Sequence, residues 1–120
     1  MTITVVTILD CLTDNLEVDK EHIDLILSIN RICEYYKEKG LKNKVPSLIA
    51  SFGAQLLSHF QTEELSSLVT EEHRKDHARI TQETLLLLQD FYSNTDYIVE
   101  RFEEMLINHT REFDIPTFKK

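Results

Sequence analysis

The sequence has no tryptophan, only two glycines, two prolines and two cysteines, and 13 Lys and Arg against 21 Asp and Glu. Each shortage excludes something. With so little Gly and Pro there is little to interrupt regular structure, which favours a few long helices over many short strands and turns. Cys11 and Cys33 make no Cys-x-x-Cys pair and no disulfide framework. Cys33 is read as a small buried hydrophobe on the apolar side of a helix, in a reducing, cytoplasmic setting. The formal charge of -8 argues against nucleic acid and anionic membrane surfaces as partners, since both require clustered cations. The apolar runs are far too short to span a bilayer, and no charged-then-apolar leader opens the chain. Asn108-His109-Thr110 has the form of a glycosylation acceptor, but without a secretory signal it is read as a chance match.

What is present is helical periodicity. At 42% hydrophobic and 28% charged residues, the composition is that of an ordinary globular chain, and the length suits one domain over residues 1–120. His22, Leu25, Ile26, Ile29, Cys33 and Tyr36 recur on one helical face. Asp19 is placed to cap that helix at its start and Gly40 at its end. Leu48, Phe52, Leu56, His59 and Glu63 share a second face, with Pro46 near the first turn. Thr70 is an N-cap for a third helix carrying His73, His77, Ile80, Thr84, Leu87 and Phe91. Tyr92–Asp96 breaks it, and a fourth stripe of Ile98, Phe102, Met105 and His109 ends by Pro116. Helices are therefore expected at about 19–39, 44–68, 71–92 and 95–112. They pack most simply as an all-α, up-down-up-down antiparallel four-helix bundle. Residues 1–18, rich in β-branched side chains, are expected to form an extended N-terminal arm packed on one side or end, able at most to support weak self-association.

All five histidines fall on these inward stripes, and every helix carries at least one. A lone histidine on an apolar face is ordinarily a satisfied core residue. Here, however, His59 is followed at i+4 by Glu63, His73 at i+4 by His77, and His109 at i+5 by Asp114. Side chains at i and i+4 project together and can converge on one point. Five imidazoles and two carboxylates buried without partners would be strongly destabilising. A metal removes that penalty, because neutral imidazole and ionised carboxylate are its natural donors. Seven donors exceed the needs of one tetrahedral zinc. They suit two adjacent octahedral ions sharing the carboxylates, with iron the expected metal.

The segments DKEHIDLILSIN, HFQTEE, HRKDH and HTREFD, in that order and covering every histidine, resemble the signature segments of hemerythrins across nearly the whole chain. The resemblance implies two iron ions (Fe2+/Fe3+) joined by a bridging oxo or hydroxo group. His73, His77 and His109 would hold one ion, and His22 and His59 the other. Glu63 and Asp114 would bridge them, and the ion with two histidines would keep an open position for dioxygen. Leu25, Phe60, Met105 and Leu106 would line an apolar oxygen pocket.

There are departures from the family pattern. Tryptophan is absent, Met105 stands where one is expected, and the connection from Glu63 to His73 is short. Thr110 replaces a bulky apolar pocket residue; it would either meet a bound oxygen species and admit water, or face solvent. Gln55, one turn before His59, is a candidate hydrogen-bond partner behind the ligands. Reversible dioxygen binding for carriage, storage or delivery is the leading expectation. Sensing through a separate partner is a variant of it, since only a few residues follow Asp114 and no output domain is expected. The alternative is a diiron redox enzyme acting on peroxide, nitric oxide or oxygen. A metal-free helical interaction module is the third reading. No acid or base beyond the ligands is positioned for catalysis, and a monomer or weak homo-oligomer is expected.

Overall fold

The structure, a computed structural model, describes residues 12, 13, 15–37, 43–89 and 95–119, with only the backbone at 95 and 96. Among these residues it is all helical. α1 is Leu16–Lys37, α2 Val45–Glu64, α3 Glu71–Gln89 and α4 Thr95–His109. A π-helical turn, Thr110–Asp114, follows without a break and leads into a short α5, Ile115–Phe118. α1 packs against α2 and α4, and α3 against the same two helices. No helix of the described residues is long and apolar enough to cross a membrane.

α1 starts earlier than the Asp19 expected as its cap. Asn15 takes that role, its side-chain oxygen accepting from Val18 N–H at 3.1 Å and its carbonyl from Asp19 N–H at 2.9 Å. Asp19 lies in the first turn, where its carboxylate accepts from Thr13 N–H at 2.6 Å and Thr13 Oγ1 at 2.7 Å. An acid there also favours the positive helix end. α2 stops at Glu64 instead of reaching residue 68. Its last turn tightens as Leu65 N–H and Ser66 N–H bond the carbonyls of Thr62 and Glu63. Thr70 Oγ1 then accepts from His73 N–H at 3.2 Å, capping α3. Gly40, Phe91, Cys11 and most of the N-terminal arm lie outside the described residues.

Apolar stripes from all four helices meet in one core. Ile29, Ile49, Phe52, Leu56 and Phe102 are fully buried, with the rings of Phe52 and Phe102 4.8 Å apart. Cys33 is buried and donates to Glu103 Oε1 across 3.8 Å. Gly53 lets α2 and α3 approach: a Cβ there would lie 3.0 Å from Leu88 Cδ1. One end of this core is not apolar, and there the histidines gather.

Candidate metal centre

His22 comes from α1, His59 and Glu63 from α2, His73 and His77 from α3, His109 from the end of α4 and Asp114 from the π-turn. Each is 3% exposed or less. The i, i+4 pairs on α2 and α3 meet as an α-helix dictates. His109 and Asp114 need a different device, because five residues on an α-helix turn about 140° round the axis. The π-turn supplies it, with Ile115 N–H bonded to the Thr110 carbonyl five residues back. The wider turn swings Asp114 under His109. Pro116 gives the local reason: it has no N–H to donate and its ring repels the carbonyl four residues earlier. The chain widens there and stays helical to Phe118, so Pro116 does not end it as expected.

The seven side chains form two groups that share Glu63 and Asp114, with the possible ligand atoms of each group within 4.8 Å of one another. In the first group His73 Nε2 lies 2.9 Å and His109 Nε2 3.1 Å from Asp114 Oδ1, and His77 Nε2 lies 2.9 Å from Glu63 Oε1. In the second, His22 Nε2 is 2.8 Å from Asp114 Oδ2, and His59 Nε2 is 3.3 Å from Glu63 Oε2. Each carboxylate thus turns one oxygen to the three-histidine group and the other to the two-histidine group.

Some of the donor spacings match octahedral edges, while Glu63 Oε1 lies 3.8 Å from His73 Nε2 and 3.7 Å from His109 Nε2. Bonds of roughly 2.1 Å give octahedral edges of about 3.0 Å and tetrahedral edges of about 3.4 Å. His109 Nε2 lies 3.2 Å from His73 Nε2 and 3.0 Å from His77 Nε2. Imidazole nitrogens so close, all pointing inward, need a cation or shared protons between them. His59 Nε2 and Glu63 Oε2 are near in distance but not aligned for a hydrogen bond, and both are buried without a partner. Burial acts to lower the His59 pKa, but Asp114, Glu63 and Glu21 outweigh it and raise it to about 10. The same contest, with Asp114, Asp76 and Glu63 prevailing, brings His109 to about 11. His22 and His73 are raised likewise against desolvation, chiefly by Asp114 and Glu63. Burial pushes Glu63 and Asp114 upward, yet the imidazoles around them hold both far below the usual carboxylate range. These shifts favour protons on the imidazoles, at atoms for which a metal cation would compete.

Sequence reasoning missed the residues behind the imidazoles. Glu21 Oε1 accepts from His59 Nδ1 at 2.7 Å, Glu64 Oε2 from His77 Nδ1 at 2.8 Å and Asp76 Oδ2 from His109 Nδ1 at 2.7 Å. Thr117 Oγ1 stands 3.1 Å from His73 Nδ1. A carboxylate on Nδ1–H fixes that proton outward, so that the Nε2 lone pair faces the cluster once a metal displaces the second proton. Each acid comes from the helix before that of its histidine: α1 serves α2, α2 serves α3 and α3 serves α4. The available signal was an acid adjacent in sequence to an inward ligand, as at Glu21-His22, Glu63-Glu64 and Asp76-His77.

Of the expected pocket residues, Leu25, Phe60, Met105 and Leu106 are buried in one apolar cluster. Phe60 stacks on His77 at 4.2 Å and lies 5.2 Å from His109. Thr110 is 1% exposed, so it does not face solvent. Gln55 does not back the ligands. Its side-chain oxygen accepts from Ser28 Oγ at 2.9 Å, and it lines a cleft of ≈ 240 Å³ with Glu21, Asp24, Leu25, Ser58 and His59.

No family model, no curated protein and no solved structure matches this chain. What stands on the geometry alone is that the described residues are helical and hold a buried histidine–carboxylate cluster of a kind that can hold metal ions.

Proposed function

We propose that the chain binds dioxygen reversibly at a carboxylate-bridged, non-haem diiron centre of the hemerythrin type, as a carrier, store or delivery protein. The observation that carries this reading is the division of Glu63 and Asp114, one oxygen of each toward three histidines and the other toward two. Two iron ions with a bridging oxo or hydroxo group supply, when bound, the electrons for reversible capture of dioxygen. The chain's own tasks are to bind, orient and shield. His73, His77 and His109 hold one ion, His22 and His59 the other, and Glu63 and Asp114 hold both. Glu21, Glu64 and Asp76 keep the Nε2 lone pairs turned inward. Leu25, Phe60, Met105 and Leu106 exclude water, and Thr110, buried in the π-turn, is the one hydroxyl proposed to join them.

An up-down-up-down antiparallel bundle accords with this reading. Six residues join α2 to α3, a reach of about 20 Å. That is too short to return along a helix of 20 residues, roughly 30 Å long. A cytoplasmic protein without nucleic-acid or membrane partners, monomeric or weakly self-associating, accords with the charge and helix lengths.

A second reading is a diiron redox enzyme acting on peroxide, nitric oxide or oxygen. The polar cleft that reaches His59 favours it, because such a path admits water and protons. One experiment separates the two. Iron-loaded, reduced protein is cycled between air and argon under a spectrometer. Colour that appears in air and vanishes under argon over repeated cycles is the expected outcome. Irreversible conversion to a ferric form with turnover of peroxide would favour the enzyme. A chain that stays colourless and takes up no iron would overturn both.

A further inference from the structure

The two halves of the cluster are anchored unequally. Behind the three-histidine half, every imidazole has an outer partner: Thr117 for His73, Glu64 for His77 and Asp76 for His109. The two acids are themselves held by cations, Glu64 by Arg74 at 3.4 Å and Asp76 by Arg79 at 2.9 Å. Phe113 lies against both His73 and His109, and Phe60 stacks on His77. The two-histidine half has less of this support. His22 Nδ1 is buried without a partner among the described residues, and His59 Nε2 and Glu63 Oε2 are unpartnered as well. Glu21 backs His59, but among the described residues that is its one ion pair. The cleft between α1 and α2 is lined by Glu21, Asp24 and Ser58 together with His59.

We infer that the two metal positions fill in order and are held unequally. The His73–His77–His109 position binds first and tightly, while the His22–His59 position fills last and exchanges its ion with solvent through the α1–α2 cleft. This rests on the dinuclear reading above. Three physical terms point the same way. The first position offers three imidazoles and two carboxylate oxygens, the second one imidazole fewer. Outer hydrogen bonds that fix a ligand ring strengthen metal binding about 10- to 100-fold, and His22 has none among the described residues. Once the first ion is in place, its charge disfavours a second cation nearby, which widens the gap. A one-ion form therefore accumulates when metal is scarce, and any chemistry that needs both ions follows metal supply.

Titration of the metal-free, full-length protein with Co2+ under argon, read by calorimetry and by metal content after dialysis, tests the order. Two steps of one ion each are expected, with dissociation constants at least about tenfold apart. Asp76→Asn weakens the tighter step about tenfold or more and leaves the weaker one. His22→Ala removes the weaker step alone, and His59→Ala does the same should His22→Ala fold poorly. Ser58→Phe, at the cleft, slows release of the weaker ion to a chelator several-fold without changing either affinity. Uptake of both ions in one step, or loss of the tighter step in the histidine variants, would overturn the order and leave the dinuclear centre standing. Unchanged release in Ser58→Phe would overturn the cleft as the route. A chain that never takes more than one ion would overturn the dinuclear reading, and the order with it.

Discussion

Glu63 and Asp114 carry more than any other side chains here, because each serves both halves of the cluster at once. In the metal-free protein their charges are balanced by protons on the imidazoles. His59, at about 10, and His109, at about 11, sit above the ordinary histidine value. A group whose folded pKa is raised stabilises the fold fully below its unfolded pKa and loses that effect as pH climbs through the folded one. Glu63 and Asp114, depressed in the fold, contribute above the ordinary carboxylate range and lose it in acid. Metal-free protein is thus expected to be most stable between about pH 4.5 and 6.5 and to weaken steadily toward pH 10. Because bound metal displaces those protons, the gain in melting temperature on loading should grow with pH. Thermal melts at pH 5.5, 7.5 and 9.5, with chelator and with metal, check both slopes. A metal-free melting temperature that rises from pH 6.5 to 9.5 would contradict the assignment of these protons.

Among the elements, the π-turn is the one on which the centre depends most. Without it Asp114 would point away from His109, and α4 would present only one ligand. Inserting one alanine after Glu112 rotates Asp114 by about 100° relative to His109 in an otherwise helical segment. Helix content by circular dichroism should be nearly unchanged, while bound metal falls from two ions per chain to one or none. Retention of two ions would mean that the turn is incidental. The five-residue gap between His109 and Asp114 and the position of Pro116 were both readable, yet they suggest a helix end as readily as a widened turn. The choice depends on Thr117 and Phe118 packing back against His73, a contact between residues 44 positions apart. Asp19 was misleading for a related reason. Asn15 and Asp19 both suit a cap, and the bond from Thr13 to Asp19 decides between them.

For the molecule as a whole, the apolar and polar ends of the bundle answer to different forces. Phe102 is fully buried against Phe52 in the apolar part, and Phe102→Ala should cost about 3–5 kcal/mol with metal or without it. His59→Ala should lower the stability of both states near neutral pH. Above about pH 10, where metal-free protein no longer holds the His59 proton, it should matter far more to loaded protein, which loses a donor. Denaturant unfolding of both variants in both states gives the four values needed. An equal loss for His59→Ala in the two states above that pH would leave the cluster as ordinary polar core.

By itself the sequence determined the helices and the stripe on each, because periodicity of 3.6 and burial of apolar surface are local rules repeated along the chain. It also placed His22, His59, Glu63, His73, His77 and His109 on those inward stripes and Asp114 just past the last of them; the π-turn that brings Asp114 inward belongs to the structure. Only the tertiary structure decided which carboxylate oxygen faces which histidines, and that Glu21, Glu64 and Asp76 stand behind imidazoles on neighbouring helices. It alone left His22 Nδ1 without such support among the described residues. Those pairings join residues 13 to 38 positions apart, across gaps set by how the helices rotate and slide against one another. Periodicity along one helix carries no information about that rotation.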